Sequence, residues 1–173
     1  MVHRKRFIMK IGITGHTSGI GKRIFERTSP NCIGFSKSTG YDITNPADRG
    51  KIIYEAKDCD VFINNAHAEF GQTLLLIELF KEWKNQNKII INVGSRIAEI
   101  PVMPVDDLLH YHAEKIILKE MSKRLHGTCK VIYKWFGYVG TERILKKYPH
   151  FTTNDYISID QAVDILLEPL SNH

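Results

Sequence analysis

The chain has 173 residues, enough for one domain with a buried core, and 43% of them are hydrophobic against 25% charged, the balance of a globular protein. No apolar run approaches the ~20 residues that a bilayer crossing needs, and no signal-peptide pattern opens the sequence, so a cytoplasmic protein is expected. The formal net charge of +5 points to an acidic partner. Part of that charge sits in His3-Arg4-Lys5-Arg6, however, where a solvated tail is expected in preference to a nucleic-acid contact.

Residues 1–8 read as a disordered basic extension and residues 9–173 as a single domain. Cys32, Cys59 and Cys129 are widely spaced with no metal-ligand pairing, so buried, reduced thiols and no bound metal are expected. The first strand leads through Ile11 and Ile13 to Thr14-Gly15, and Gly19-Ile20-Gly21 opens a helix-compatible run, KRIFER. A strand, a glycine-rich turn and a helix N-terminus together present free backbone N–H groups and the positive end of the helix dipole to a pyrophosphate. Glycine is needed there because a side chain would block the phosphates or hold the helix off the sheet. An ordinary βα turn is the competing reading.

Cys32 to Ser36 reads as a second strand. Dinucleotide folds commonly carry an acidic residue near its end, for the adenosine 2′-hydroxyl. Here stands Ser36-Lys37-Ser38, a cation between two hydroxyls, which suits a 2′-phosphate and leaves no anion to repel it. Residues 41–44 predict at most a short third strand, in which Asp42 either meets an adenine amino group or ends the strand. Asn45 and Pro46 start a helix to about residue 57, as N-cap and first-turn proline. Residues 59–66 predict a buried parallel strand ending in Asn64-Asn65-Ala66, at the sheet end where open α/β folds bind ligands.

Residues 73–84 form the next helix, apolar on more than one side. Residues 88–93 form a strand ending in Gly94-Ser95. A long helix capped by Asp106 or Asp107 then runs to about residue 125, with an apolar stripe of Leu109, Ala113, Ile117, Met121 and Leu125. The surplus apolar surface of these two helices suggests a homodimer or higher homo-oligomer. Tyr111 and Lys115 are four residues apart on the second helix and share a face. Residues 130–135 give a sixth strand, followed by the turn Phe136-Gly137-Tyr138-Val139-Gly140-Thr141 and a last amphipathic helix over residues 158–170. The predicted architecture is an α/β, Rossmann-type doubly wound parallel sheet of about six strands, shortened at the C-terminus.

Taken in order, these pieces resemble the short-chain dehydrogenase/reductase family from about residue 9 to residue 141. Thr14-Gly15-His16-Thr17-Ser18-Gly19-Ile20-Gly21 is similar to its cofactor turn, Asp42-Ile43 to its adenine contact, and Asn64-Asn65-Ala66-His67 to its asparagine motif with His for Gly. Ser95, Tyr111 and Lys115 fall where its catalytic serine and Tyr-x-x-x-Lys belong, and residues 136–141 are similar to the turn over the nicotinamide, with Phe136 for proline. The resemblance implies an oxidoreductase acting on a small carbonyl or alcohol, and Lys37 beside the acid-free Ser36 predicts that NADP(H) is preferred over NAD(H). The implied cofactor contacts are Gly15, Thr17, Ser18, Gly19, Ile20, Ser36, Lys37, Ser38, Asp42, Asn65, Ala66, Tyr111, Lys115, Gly137, Val139 and Thr141.

Three departures stand out: the crossover after the second strand is very short, the family's final strand has no counterpart, and its extra catalytic asparagine is absent. Gln72 and Thr73 occupy that last place, and Gln72 is expected to matter little to rate. A non-catalytic NADP(H)-binding sensor is the alternative these departures favour.

Overall fold

The computed structural model describes residues 9–101 and 108–171. Five parallel strands form one sheet: β1 (Ile11–Thr14), β2 (Cys32–Phe35), β3 (Val61–Asn64), β4 (Ile89–Ser95) and β5 (Lys130–Phe136), in the order β2-β1-β3-β4-β5. Strands β1 and β3 are buried along their whole length, which is why they read as unbroken apolar runs. The registers Ile11↔Val61 and Val61↔Ile89 align the carboxyl ends of the three central strands. The order reverses between β1 and β3, since β2 lies on one side of β1 and everything later on the other. That reversal opens a crevice at the strands' carboxyl ends.

Helices cover both faces of the sheet. The helices α1 (Gly19–Thr28) and α6 (Ile159–Leu167) pack on one face, around Ile13, Ile24, Ile63, Ile91, Val163 and Leu166. On the other lie α2 (Pro46–Glu55), α3 (Gly71–Trp83) and α4 (Leu109–Arg124), around Phe62, Ile52, Leu79, Trp83, Ile90 and Leu118. The short α5 (Glu142–Lys147) follows β5. Arg23 and Arg27 of α1, one helical turn apart, bond Asp160 and Asp164 of α6, each at 2.7 Å, and set the register of α6. No strand follows β5 among the described residues, so β5 is an edge and most of its side chains are partly exposed.

The sheet has five strands where about six were expected, because residues 41–44 do not pair. The backbone donors there are satisfied locally: Tyr41 N–H bonds the Ser36 carbonyl, and Asp42 accepts from Thr44 N–H at 3.0 Å. Gly40, at φ 94°, turns the chain out of the sheet direction just before them. The start of α2 is as predicted, with the Asn45 side chain accepting from Ala47 N–H at 2.9 Å and Pro46 in the first turn.

The predicted stripe on α4 is its partly exposed side. Leu109 and Ile117 are exposed, while Glu114, Lys115, Leu118 and Ser122 face inward. Asn64, Asn92 and Ser122 account for the polar inner face. Asn64 donates to Asn92 at 2.9 Å and Asn92 to Ser122 at 3.0 Å, so a buried polar chain needs a polar helix face above it. The basic extension and the expected caps Asp106 and Asp107 lie outside the described residues.

Candidate active site

The first part of the site is the glycine turn between β1 and α1. Gly15 and Gly19 have φ of 75° and 52°, which favour glycine. A Cβ on Gly21 would lie 2.1 Å from the Gly15 carbonyl oxygen, so only glycine lets α1 start this close to the turn. The first turn of α1 carries no acidic residue, and Ser18, its N-cap, makes no side-chain cap bond. The helix thus begins with a positive, uncapped end at the sheet's crevice.

Asn65 and Thr14 hold the crevice open. Thr14 Oγ1 accepts from Asn65 N–H and Ala66 N–H at 3.0 and 2.9 Å, and Asn65 Nδ2 donates to the Thr14 carbonyl at 3.0 Å. The ends of β1 and β3 are therefore cross-linked by side chains where their ladder stops. The turn after β5 closes the other side. The Thr141 methyl lies 3.4 Å from where a Gly19 Cβ would be, Val139 is buried, and Gly140 N–H bonds the Ile157 carbonyl at 2.9 Å. Gly137 lies beside the Arg96 side chain.

Beyond β2, Ser36 caps a 3-10 turn over Lys37–Thr39 in a reciprocal box with Thr39. Ser36 Oγ meets His16 Nδ1 at 3.0 Å and Ser38 Oγ donates to Thr17 Oγ1 at 3.2 Å, so this turn is tied to the glycine turn. The expectation that no anion stands near Lys37 does not hold. Lys37 Nζ lies 2.7 Å from Asp42 Oδ2, and the lysine together with Thr44 holds the Asp42 carboxyl down at about 2. With its side chain 81% exposed, Lys37 can swing from that carboxylate to another anion.

The second part lies over the end of β4. Ser95 Oγ accepts from Ile97 N–H at 3.3 Å, which leaves its own O–H free to donate. Tyr111 and Lys115 share a face of α4, with the ammonium 5.5 Å from the tyrosine ring centre. Lys115 is 3% exposed and donates to Gln72 Oε1 at 2.7 Å and to the Val93 carbonyl at 3.4 Å. Burial pulls its pKa down to about 8, against a smaller opposing pull from Glu114.

Gln72, expected to be a bystander, is the neutral anchor of this lysine. Its Nε2 donates to the Asn64 and Val93 carbonyls at 2.7 and 3.0 Å, which fixes the amide so that its oxygen faces Lys115. Gln72 holds the ammonium directly from the first turn of α3.

Two further side chains, to which the sequence assigns no role, line this part of the site. His67 packs its ring edge-on to Tyr111, centroids 4.8 Å apart, and places Nε2 3.1 Å from Glu114 Oε2. Burial, then the charges of Lys115 and Arg143, pull the His67 imidazole down to about 4, so it is neutral near pH 7. Tyr133 lays its ring over Gly94, where a Cβ would lie 2.2 Å away, and burial pushes its phenol up to about 12.

The lysine yields a stability prediction. Between about pH 8 and the ordinary 10.5, the unfolded chain binds a proton at residue 115 that the folded chain has released, so stability from this group rises with pH across that window. Below about pH 8 the burial penalty is present in full, about 3 kcal/mol. Urea unfolding of wild type and Lys115→Met should show the wild type gaining on the variant as pH rises through this range. Parallel pH curves would contradict it.

No family model and no curated protein matches the sequence. Solved structures do match. A short-chain dehydrogenase from Burkholderia cenocepacia J2315 in complex with NADP superposes at TM-score 0.74 and 22% identity, over 94% of this chain and 84% of its own. One from Sphingobium yanoikuyae in complex with NADPH gives 0.69 at 17%, over 95% and 85%. A third, from Burkholderia phymatum in complex with NAD, gives 0.61 at 15%, over 77% and 67%. The chain has the fold of the short-chain dehydrogenases.

Proposed function

We propose that this chain is an NADP(H)-dependent oxidoreductase of the short-chain dehydrogenase/reductase type, acting on a small carbonyl or alcohol with Tyr111 as acid/base. The observation that carries the reading is the buried ammonium of Lys115, held by two neutral acceptors beside Tyr111 and over the strand that ends in Ser95. A buried charge with no carboxylate in direct contact is costly, and a site that keeps one uses it.

The turn suits a dinucleotide, since the left-handed backbone at Gly15 and Gly19 leads into an α1 whose N-cap makes no side-chain bond, which leaves backbone N–H groups for a pyrophosphate. Gly15, Thr17, Ser18, Gly19 and Ile20 would hold the pyrophosphate, and Ser36, Lys37, Ser38 and Asp42 the adenosine end. Asn65, Ala66, Gly137, Val139 and Thr141 would hold the nicotinamide half, with Tyr111 and Lys115 at its ribose. The dinucleotide supplies the hydride.

Tyr111 would give its proton to the carbonyl oxygen. The Lys115 ammonium, 5.5 Å from the Tyr111 ring centre, is placed to offset the negative charge that the departing proton leaves behind. Ser95 would donate its free O–H to the substrate oxygen as charge develops there. Carbonyl-dependent oxidation of NADPH, followed by nicotinamide absorbance over a panel of aldehydes and ketones, tests the reading; NADPH binding without turnover of any of them would replace it with a sensor.

Preference for NADP(H) rests on Lys37. A charge-assisted contact to a 2′-phosphate is worth roughly 1.5–3 kcal/mol, about one to two decades in affinity, less what it costs to release Asp42. Titration should show NADPH binding more tightly than NADH, and Lys37→Ala removing most of the difference. Equal affinities in the wild type would remove the argument. Assembly as a homodimer is proposed on the exposed Leu74, Leu109 and Ile117 of α3 and α4. A monomer in sedimentation at micromolar concentration would contradict it.

A further inference from the structure

We infer that the substrate carries an anionic group of carboxylate type besides its carbonyl, held by Arg96 and Arg143; this rests on the oxidoreductase reading for the carbonyl and on independent observations for the anion. Among the described residues, Arg23, Arg27, Arg49 and Arg124 each pair with a carboxylate, namely Asp160, Asp164, Glu78 and Glu120. Arg96 and Arg143 pair with none, and both are exposed. These two are also the arginines that border the proposed site.

Arg96 follows Ser95 directly, and its Cδ lies 3.7 Å from where a Gly137 Cβ would be, so its stem runs along the turn after β5. Arg143 stands just beyond Thr141, whose methyl abuts Gly19. Its charge reaches His67, whose ring touches Tyr111. Arg96 opens the short turn just past β4, next to Ser95, and Arg143 lies in the first turn of α5, two residues past Thr141, so both stand at the carboxyl end of the sheet in the segments that follow β4 and β5.

Among the described residues, two of the nearby acids are already engaged: Glu99 is bound to Lys119 at 2.5 Å, and Glu114 is buried against His67. Lys115 adds a third positive charge from below. A guanidinium offers a planar fork that matches a carboxylate, and unpaired forks at a site mouth favour an anion over a neutral ligand of the same shape.

The test compares benzaldehyde with 4-formylbenzoate as substrates for the full chain with NADPH. The expected result is a kcat/KM roughly 10- to 100-fold higher for 4-formylbenzoate, an advantage that shrinks as salt is added. Arg143→Ala and Arg96→Ala should each lower the 4-formylbenzoate value about tenfold more than the benzaldehyde value, mainly through KM. Equal wild-type values for the two aldehydes would overturn the inference and leave the oxidoreductase reading standing. So would an Arg143→Ala variant that loses both substrates alike and binds NADPH more weakly, because the arginine would then serve the dinucleotide.

If neither aldehyde is reduced, calorimetry of benzoate and benzamide against the chain with NADP decides. Tighter benzoate binding, lost in the double arginine variant, sustains the anion site while the oxidoreductase reading fails; equal binding of the two overturns the site as well.

Discussion

Tyr111→Phe should reduce carbonyl turnover by about 10²–10⁴-fold, the range expected when a positioned general acid is removed, while NADPH affinity changes little. Phenylalanine keeps the ring that packs against His67, so the fold around α4 is preserved and only the ionisable oxygen is lost. Stopped-flow measurement of nicotinamide oxidation, paired with a dinucleotide titration of the same variant, separates the two effects. A variant that turns over a proven substrate near the wild-type rate would remove Tyr111 from the chemistry.

Gln72→Leu should harm both folding and rate. The Lys115 ammonium would lose its 2.7 Å acceptor, and the Asn64 and Val93 carbonyls would lose their amide donor in a region without access to water. Removing one partner of a buried charge costs about 3–5 kcal/mol. Lys115, with a pKa already near 8, limits that cost by shedding its proton, so the lower end, about 3 kcal/mol, is expected in urea unfolding near pH 7. Turnover should fall as well, because a neutral amine no longer offsets the charge that proton transfer leaves beside it. A Gln72→Leu protein as stable as wild type, with an unchanged pH–rate profile, would show that the contact is incidental.

The contrast between these residues shows what a sequence discloses. The glycine turn was legible because its chemistry is local: a left-handed backbone at Gly15 and Gly19 and a forbidden Cβ at Gly21 are demands on residue type at fixed spacing. The long buried strands were legible for a similar reason, since a strand covered on both faces must be apolar throughout. Gln72 meets Lys115 across 43 positions, and His67 meets Glu114 between β3 and α4, so their roles depend on how helices sit on the sheet and no spacing announces them. The stripe on α4 reads as surplus apolar surface and is partly exposed, while the polar inner face was not legible, because Asn64, Asn92 and Ser122 meet only once the helix sits on the sheet. Residues 41–44 look like strand and are held as turn by Asp42, whose carboxylate bonds both Thr44 and Lys37.

The central claim is that this chain moves a hydride between a nicotinamide and a carbonyl carbon. The measurement that meets it most directly uses NADPH deuterated at the transferable nicotinamide position together with an aldehyde, and determines the mass of the alcohol formed. The account predicts alcohol bearing one deuterium on the carbinol carbon, formed by wild type and nearly absent with Tyr111→Phe. Tight binding of the labelled NADPH with no deuterated alcohol from any carbonyl compound would contradict it.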